Sequence, residues 1–169
     1  MDKKKAAKAT SLLISIIVFC LSLQDMADWS AVGIFTGCGL GCRMLYPFYH
    51  ANLLHATLNA WCLLSVIFIY DISLWRLAFA YIIAISFPVD ALACLGVEVL
   101  DPTVGLSGVV FAIFGSISFE VQRKAYYQLW MLAYLVAGFL FPNTNALVHL
   151  YCYLAGGAVA LLNKPVKIG

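Results

Sequence analysis

Six apolar stretches, each near the length of a bilayer crossing, run between the few charged residues of this chain, at roughly 6–23, 51–70, 74–94, 105–119, 126–140 and 145–162. A helix climbs ~1.5 Å per residue, so about 20 apolar residues cross a hydrocarbon core of roughly 30 Å. Inside that core every backbone N–H and C=O must be paired within the protein, and stretches of this length satisfy the demand as helices. With 64% of 169 residues hydrophobic and 11% charged, the chain is too apolar for a soluble globule. The expectation is an all-α polytopic membrane protein. No polar linker, internal repeat or low-complexity tract divides it, so residues 1–169 read as one domain. The net charge of +2 names no partner.

The basic residues set an orientation. With the N-terminus in the cytoplasm and six alternating spans, Lys3, Lys4, Lys5, Lys8, Arg76, Arg123, Lys124, Lys164 and Lys167 fall inside and only Arg43 falls outside. Asp25, Asp28, Glu98 and Asp101 also fall outside, and both termini are cytoplasmic. The first stretch has the basic start of a signal peptide, but Asp28 and Trp29 spoil the small-residue cleavage pattern, so it reads as a retained anchor. The six cysteines lie mostly within apolar runs, where a thiol packs as a small hydrophobe. Cys38 and Cys42 share the first outer loop at a spacing that fits a helix face as well as a disulfide.

Polar residues at depth are costly in a bilayer unless they pair or line a wet cavity, which makes each a candidate for function. Ser107, in Gly105-Leu106-Ser107-Gly108, opens the fourth stretch, and His149 lies about four residues into the sixth. Counting up from the cytoplasmic ends, Asp71 to His55, Arg123 to Ser107 and Lys164 to His149 are about 16, 16 and 15 residues apart, ~23 Å of rise. The three side chains share one level below the outer surface. The fourth stretch is short, so the segment 96–104 before it must dip inward, which is tolerated only against protein or water. A serine in a membrane helix commonly bonds its own backbone, and Gly-x-Ser-Gly can be a tight helix contact. The matched depth favours a site instead.

Amide hydrolysis needs a nucleophile, a base that takes its proton and returns it to the leaving amine, and donors facing the developing oxyanion. Ser107 and His149 suit the first two roles, and the Ser107 N–H, in the first turn of its helix, suits the third. Gly105 and Gly108 keep side chains clear. His55 and Asn59 share one helix face and can flank the same oxygen, with His50 nearer the membrane surface. No carboxylate is placed to orient His149; Asp90 reads as a wet or capped loop residue and Glu120 as a helix-end charge. The pair is therefore a dyad, with Phe111, one turn below Ser107, as a ring for the imidazole to stack on. No His-Glu-x-x-His helix accompanies His50, His55, Cys38 and Cys42, so no metal and no cofactor are expected. Gly37-Cys38-Gly39-Leu40-Gly41 lacks the strand and acidic partner of a nucleotide loop, and no nucleic acid is expected.

These residues give the chain a family likeness. From Arg43-Met44-Leu45-Tyr46-Pro47-Phe48-Tyr49-His50 through His55 and Asn59, then Gly105-Leu106-Ser107-Gly108 to Gly115, then His149 and Gly156, it resembles the rhomboid intramembrane serine proteases. The resemblance implies a six-transmembrane-helix bundle with a Ser107/His149 dyad and an oxyanion hole of His55, Asn59 and the Ser107 amide. It implies substrates that are single-span membrane proteins, cut in or near the span where a helix unwinds readily. It makes 24–49 a membrane-embedded first outer loop, and the fifth span with the loop 141–144 a lateral gate and cap. A bacterial inner membrane is the expected home, with the site open to the outer side. Three positions depart from the family pattern. Phe111 stands where many relatives have tyrosine, Cys42 where tryptophan often precedes the loop arginine, and Cys152 where glycine lets the fourth and sixth helices approach, which puts that packing in doubt. The alternatives are an idle relative that holds membrane clients, and a small transporter, for which the broken helices of corresponding halves are missing.

Overall fold

The computed structural model describes residues 3–26, 28–141 and 144–162. Lys164 and Lys167, and residues 142–143 of the expected cap at 141–144, lie outside the described residues. The helices are α1 (Lys3–Leu21), α2 (Leu40–Leu45), α3 (Leu53–Ile69), α4 (Leu74–Ile85), α5 (Val89–Cys94), α6 (Ser107–Ile117), α7 (Lys124–Leu140) and α8 (Ala146–Leu162), with a 3-10 turn at Trp29–Ala31. Asn52 starts α3 by accepting from the His55 N–H at 2.8 Å, and Ser73 does the same for α4 through the Arg76 N–H at 3.3 Å.

Glycine decides which helices touch most closely. A Cβ on Gly115 of α6 would sit 2.1 Å from the Tyr153 carbonyl oxygen of α8, and one on Gly156 would sit 2.1 Å from the Ala112 oxygen. These backbones meet only because nothing stands between them, which is how helices associate where lipid removes the hydrophobic drive. The doubt raised by Cys152 is resolved here. Its side chain is wholly buried in the core, and Gly115 and Gly156, a turn further along, carry the close approach. α6 is thus central, with Gly108, Val109, Val110, Ala112, Ile113, Gly115, Ser116 and Ile117 all buried. α1 uses the same small-residue logic: Ala7, Ser11, Ser15 and Val18 turn inward, and the two serine hydroxyls donate to the Lys8 and Ser11 carbonyls. Leu13, Ile16 and Phe19 face outward.

The stretch Leu74–Cys94 is long and apolar enough to cross a membrane, with mean hydropathy 2.0. Its helix is interrupted at 86–88. Pro88 has no N–H and disfavours helical geometry at Phe87, so α4 stops and α5 restarts beyond the ring. α7 leans on α8 through a small cluster of Met131, Leu135 and Tyr153, while Leu129, Trp130, Tyr134 and Phe139 stay exposed.

Ion pairs close both ends. At one end, Lys8 bonds Asp71 at 2.6 Å with Lys4 nearby at 3.7 Å, and the hydrogen bond from Lys8 together with both positive charges holds the Asp71 carboxyl below the usual range. Arg76 pairs with Glu120, which is therefore more than a free helix-end charge. At the other end Asp90 is exposed and also partnered: it accepts from Arg43 at 2.6 Å and from the Gly37 N–H at 2.8 Å, while Arg43 also donates to the Phe87 carbonyl. The first outer loop is thereby fastened to α5. Ile34 and Thr103 form a two-bond antiparallel bridge, joining that loop to the segment before α6. Leu40 and Met44 on α2 stay exposed, as suits a loop lying against lipid. The cysteines among the described residues, Cys38 and Cys42 included, are free thiols.

Candidate active site

The first residue of α6 is Ser107, so its N–H has no partner within the helix. Its hydroxyl oxygen lies 2.7 Å from His149 Nε2, on the first turn of α8. The imidazole stacks on Phe111 with ring centres 4.4 Å apart and planes 13° from parallel. Ser107, His149 and Phe111, from two helices held by the contacts of Gly115 with Tyr153 and of Gly156 with Ala112, are thus one cluster.

Gly105 brings the second helix to this cluster. Its φ of +136° is a conformation that side chains resist, and a Cβ there would lie 2.9 Å from the His55 ring and 3.7 Å from Ser107 Oγ. His55 therefore borders the nucleophile through a gap that only glycine leaves open. His50 is 2% exposed, meets His55 edge-on at 4.9 Å, and accepts the Leu106 N–H on Nε2 at 3.1 Å. With Nε2 accepting, Nδ1 carries the proton, and this buried nitrogen has no partner among the described residues. Asn59 is buried one turn below His55 and donates through Nδ2 to the His55 carbonyl at 2.9 Å. No hydrogen bond joins it to Ser107 or His149 among the described residues, so the structure gathers His55 with the pair and leaves Asn59 on its own helix.

Gly108 shows why this end of α6 is tight. A Cβ on it would come within 2.8 Å of the Tyr46 hydroxyl, 3.3 Å of Val148 and 3.4 Å of Ala84. Tyr46 is buried, donates its hydroxyl to the Ala84 carbonyl at 3.0 Å, and accepts the Gly105 N–H on its own carbonyl at 2.9 Å. It fixes the approach to Ser107 from the first loop, a role nothing in its sequence context announces. A cavity of about 590 Å³ opens beside this region, with His55, Glu98, Asp101, Thr103 and Asn145 on its wall. Asn145 carries one sequence signal, a capping residue ahead of an apolar run, and its Oδ1 accepts the Val148 N–H at 3.2 Å.

The chemistry open to this arrangement is proton transfer between a hydroxyl and an imidazole near a cavity whose wall mixes apolar and polar side chains, with a helix N-terminus at hand for developing negative charge. Among the described residues no group of three or more His, Cys, Asp or Glu side chains gathers to hold a metal ion. The family model for the Rhomboid domain matches residues 38–164, well over half of the chain. No curated protein matches the chain.

Proposed function

This chain belongs to the rhomboid family and is an integral membrane protein, and from that premise we propose that it is an intramembrane serine endopeptidase acting through a Ser107/His149 dyad. The observation that carries the reading is the 2.7 Å approach of Ser107 Oγ to His149 Nε2, with the imidazole stacked on Phe111. No carboxylate hydrogen-bonds His149 among the described residues, so ring stacking does the orienting that an aspartate does in a triad.

In the proposed reaction Ser107 Oγ attacks the scissile carbonyl carbon as its proton passes to His149 Nε2, and the C=O π pair moves onto the oxygen. The Ser107 N–H and His55 face that oxyanion. Asn59 Nδ2 has two N–H groups, and the one not held by the His55 carbonyl serves as a further donor. Collapse breaks the C–N bond while Nε2–H protonates the departing amine. A water deprotonated by His149 then cleaves the acyl ester and restores the hydroxyl. Substrates are single-span membrane proteins whose helix unwinds near the cut, because the serine needs extended backbone. The cavity faces the outer side of a bacterial inner membrane, with Lys4, Lys8, Arg76, Arg123 and Lys124 at the cytoplasmic end.

The test is covalent labelling of the detergent-purified protein by a fluorophosphonate. Labelling is expected for the native chain and absent after Ser107→Ala; labelling that survives the substitution rules out this nucleophile, and none in the native chain favours an idle client-binding relative. Asn59→Ala should lower kcat on a model transmembrane substrate by roughly 10- to 1000-fold, the range for loss of one oxyanion donor. An unchanged kcat would confine Asn59 to its bond with the His55 carbonyl.

A further inference from the structure

Two chain segments must be held in register for the 2.7 Å contact to exist: the segment leading into Ser107, and the start of α8 that carries His149. The glycine contact between α6 and α8 lies about two turns further along from Ser107 and His149, so it leaves their outer ends to be fixed by something else. Val148 packs on Gly108 there, and one side chain adds hydrogen bonds across the gap. Asn145 Nδ2 donates to Thr103 Oγ1 at 3.0 Å, and Asn145 Oδ1 accepts the Val148 N–H, capping the helix whose first turn holds His149. Thr103 is itself immobilised, since its N–H and carbonyl both pair with Ile34 at 3.0 and 2.9 Å. Among the described residues this is the one side-chain hydrogen bond, apart from Ser107–His149 itself, that joins the 96–107 segment to the start of α8.

We propose that Asn145 and Thr103 form a positioning clamp that sets the distance between Ser107 and His149; this rests on the dyad reading above. The amide of Asn145 divides its labour. Its oxygen orients α8 by the cap, and its nitrogen ties that cap to a threonine already locked to the first outer loop. Thr103 precedes Ser107 by only four residues, so a shift at Thr103 is delivered to the nucleophile. The pair lies on the cavity wall, where a substrate occupies the space beside it without being needed for the bond.

Thr103→Val keeps the side-chain shape and removes the acceptor, while Thr103→Ser keeps the hydroxyl. The expected result for Thr103→Val is a fall in kcat on the order of 10- to 100-fold with KM unchanged, since ångström-scale misplacement costs about that much. Thr103→Ser should retain near-native kcat. Asn145→Ser, which keeps a capping oxygen but cannot reach Thr103, should reproduce the valine variant and add nothing when combined with it. Imidazole nitrogen-15 resonances give a readout apart from turnover, because His149 is one of three histidines and its Nε2 senses the Ser107 hydroxyl. The Thr103→Val spectrum should move toward that of Ser107→Ala. If native and Ser107→Ala spectra coincide, the dyad fails and the clamp with it. If they differ while Thr103→Val and Asn145→Ser keep the native spectrum and kcat, the clamp is wrong and the dyad stands. A rise in KM at constant kcat would make Thr103 a substrate contact and likewise overturn the clamp.

Discussion

His149→Ala should bring cleavage of a model transmembrane substrate down by on the order of 10⁴-fold or more, to the level that binding and oxyanion stabilisation supply without a base. The geometry makes the loss this large because His149 serves both half-reactions, and no other imidazole reaches Ser107: the His55 ring lies against Gly105, and the His50 Nε2 is occupied by the Leu106 N–H. The fold should survive, since the close contacts of Gly115 and Gly156 with the facing backbones of α8 and α6 are untouched. Circular dichroism and gel filtration would show a native-like variant with Phe111 left unstacked. A drop of only a few-fold in cleavage would remove the imidazole from the reaction and leave Ser107 without its base.

Gly156→Ala is expected to do more damage than its single added carbon suggests. The new Cβ would lie 2.1 Å from the Ala112 carbonyl oxygen and 2.9 Å from its carbon, atoms of a helix backbone that cannot rotate aside. Ordinary contact needs more than ~1 Å of extra separation, so α6 and α8 must part. Overpacking of this kind costs about 1–3 kcal/mol, and the parting also draws His149 from Ser107, so kcat should fall about 100-fold. Thermal unfolding with turnover at a temperature where the variant stays folded separates the two effects. A variant with native stability and native turnover would show that the helices meet differently. Gly157 is the comparison, because a Cβ there would meet only the Gly115 oxygen, at 3.9 Å.

How much of this could be read from the sequence depends on how local the cause is. The helices follow hydropathy: α1, α3, α6, α7 and α8 lie within three residues of the bounds of five expected stretches, because a run of apolar residues needs no partner to be recognised, while the third stretch is divided between α4 and α5. Pro88 lies inside the third stretch, and hydropathy, which averages over neighbours, does not register one missing N–H. Ser107, Phe111 and His149 fall together as their depths and helical spacing suggest, because a rigid rise per residue turns sequence distance into height. Depth places a residue along the axis but not around it. That is why Asn59, correctly on the face of His55, could not be seen to spend one of its donors on its own backbone. Tyr46, Thr103 and the partnership of Arg43 with Asp90 depend on where two irregular loops meet, and no period in the chain encodes that meeting. The signals there are single residues, such as the capping asparagine at 145.

The early end of α4 bears on the lipids around the protein. Its 12 residues rise only ~18 Å, short of a ~30 Å hydrocarbon layer, so the rest of that flank is carried by the non-helical turn at 86–88 and by α5. A turn among lipid-facing helices frees backbone groups that acyl chains cannot satisfy, and the Arg43 guanidinium answers one of them by donating to the Phe87 carbonyl.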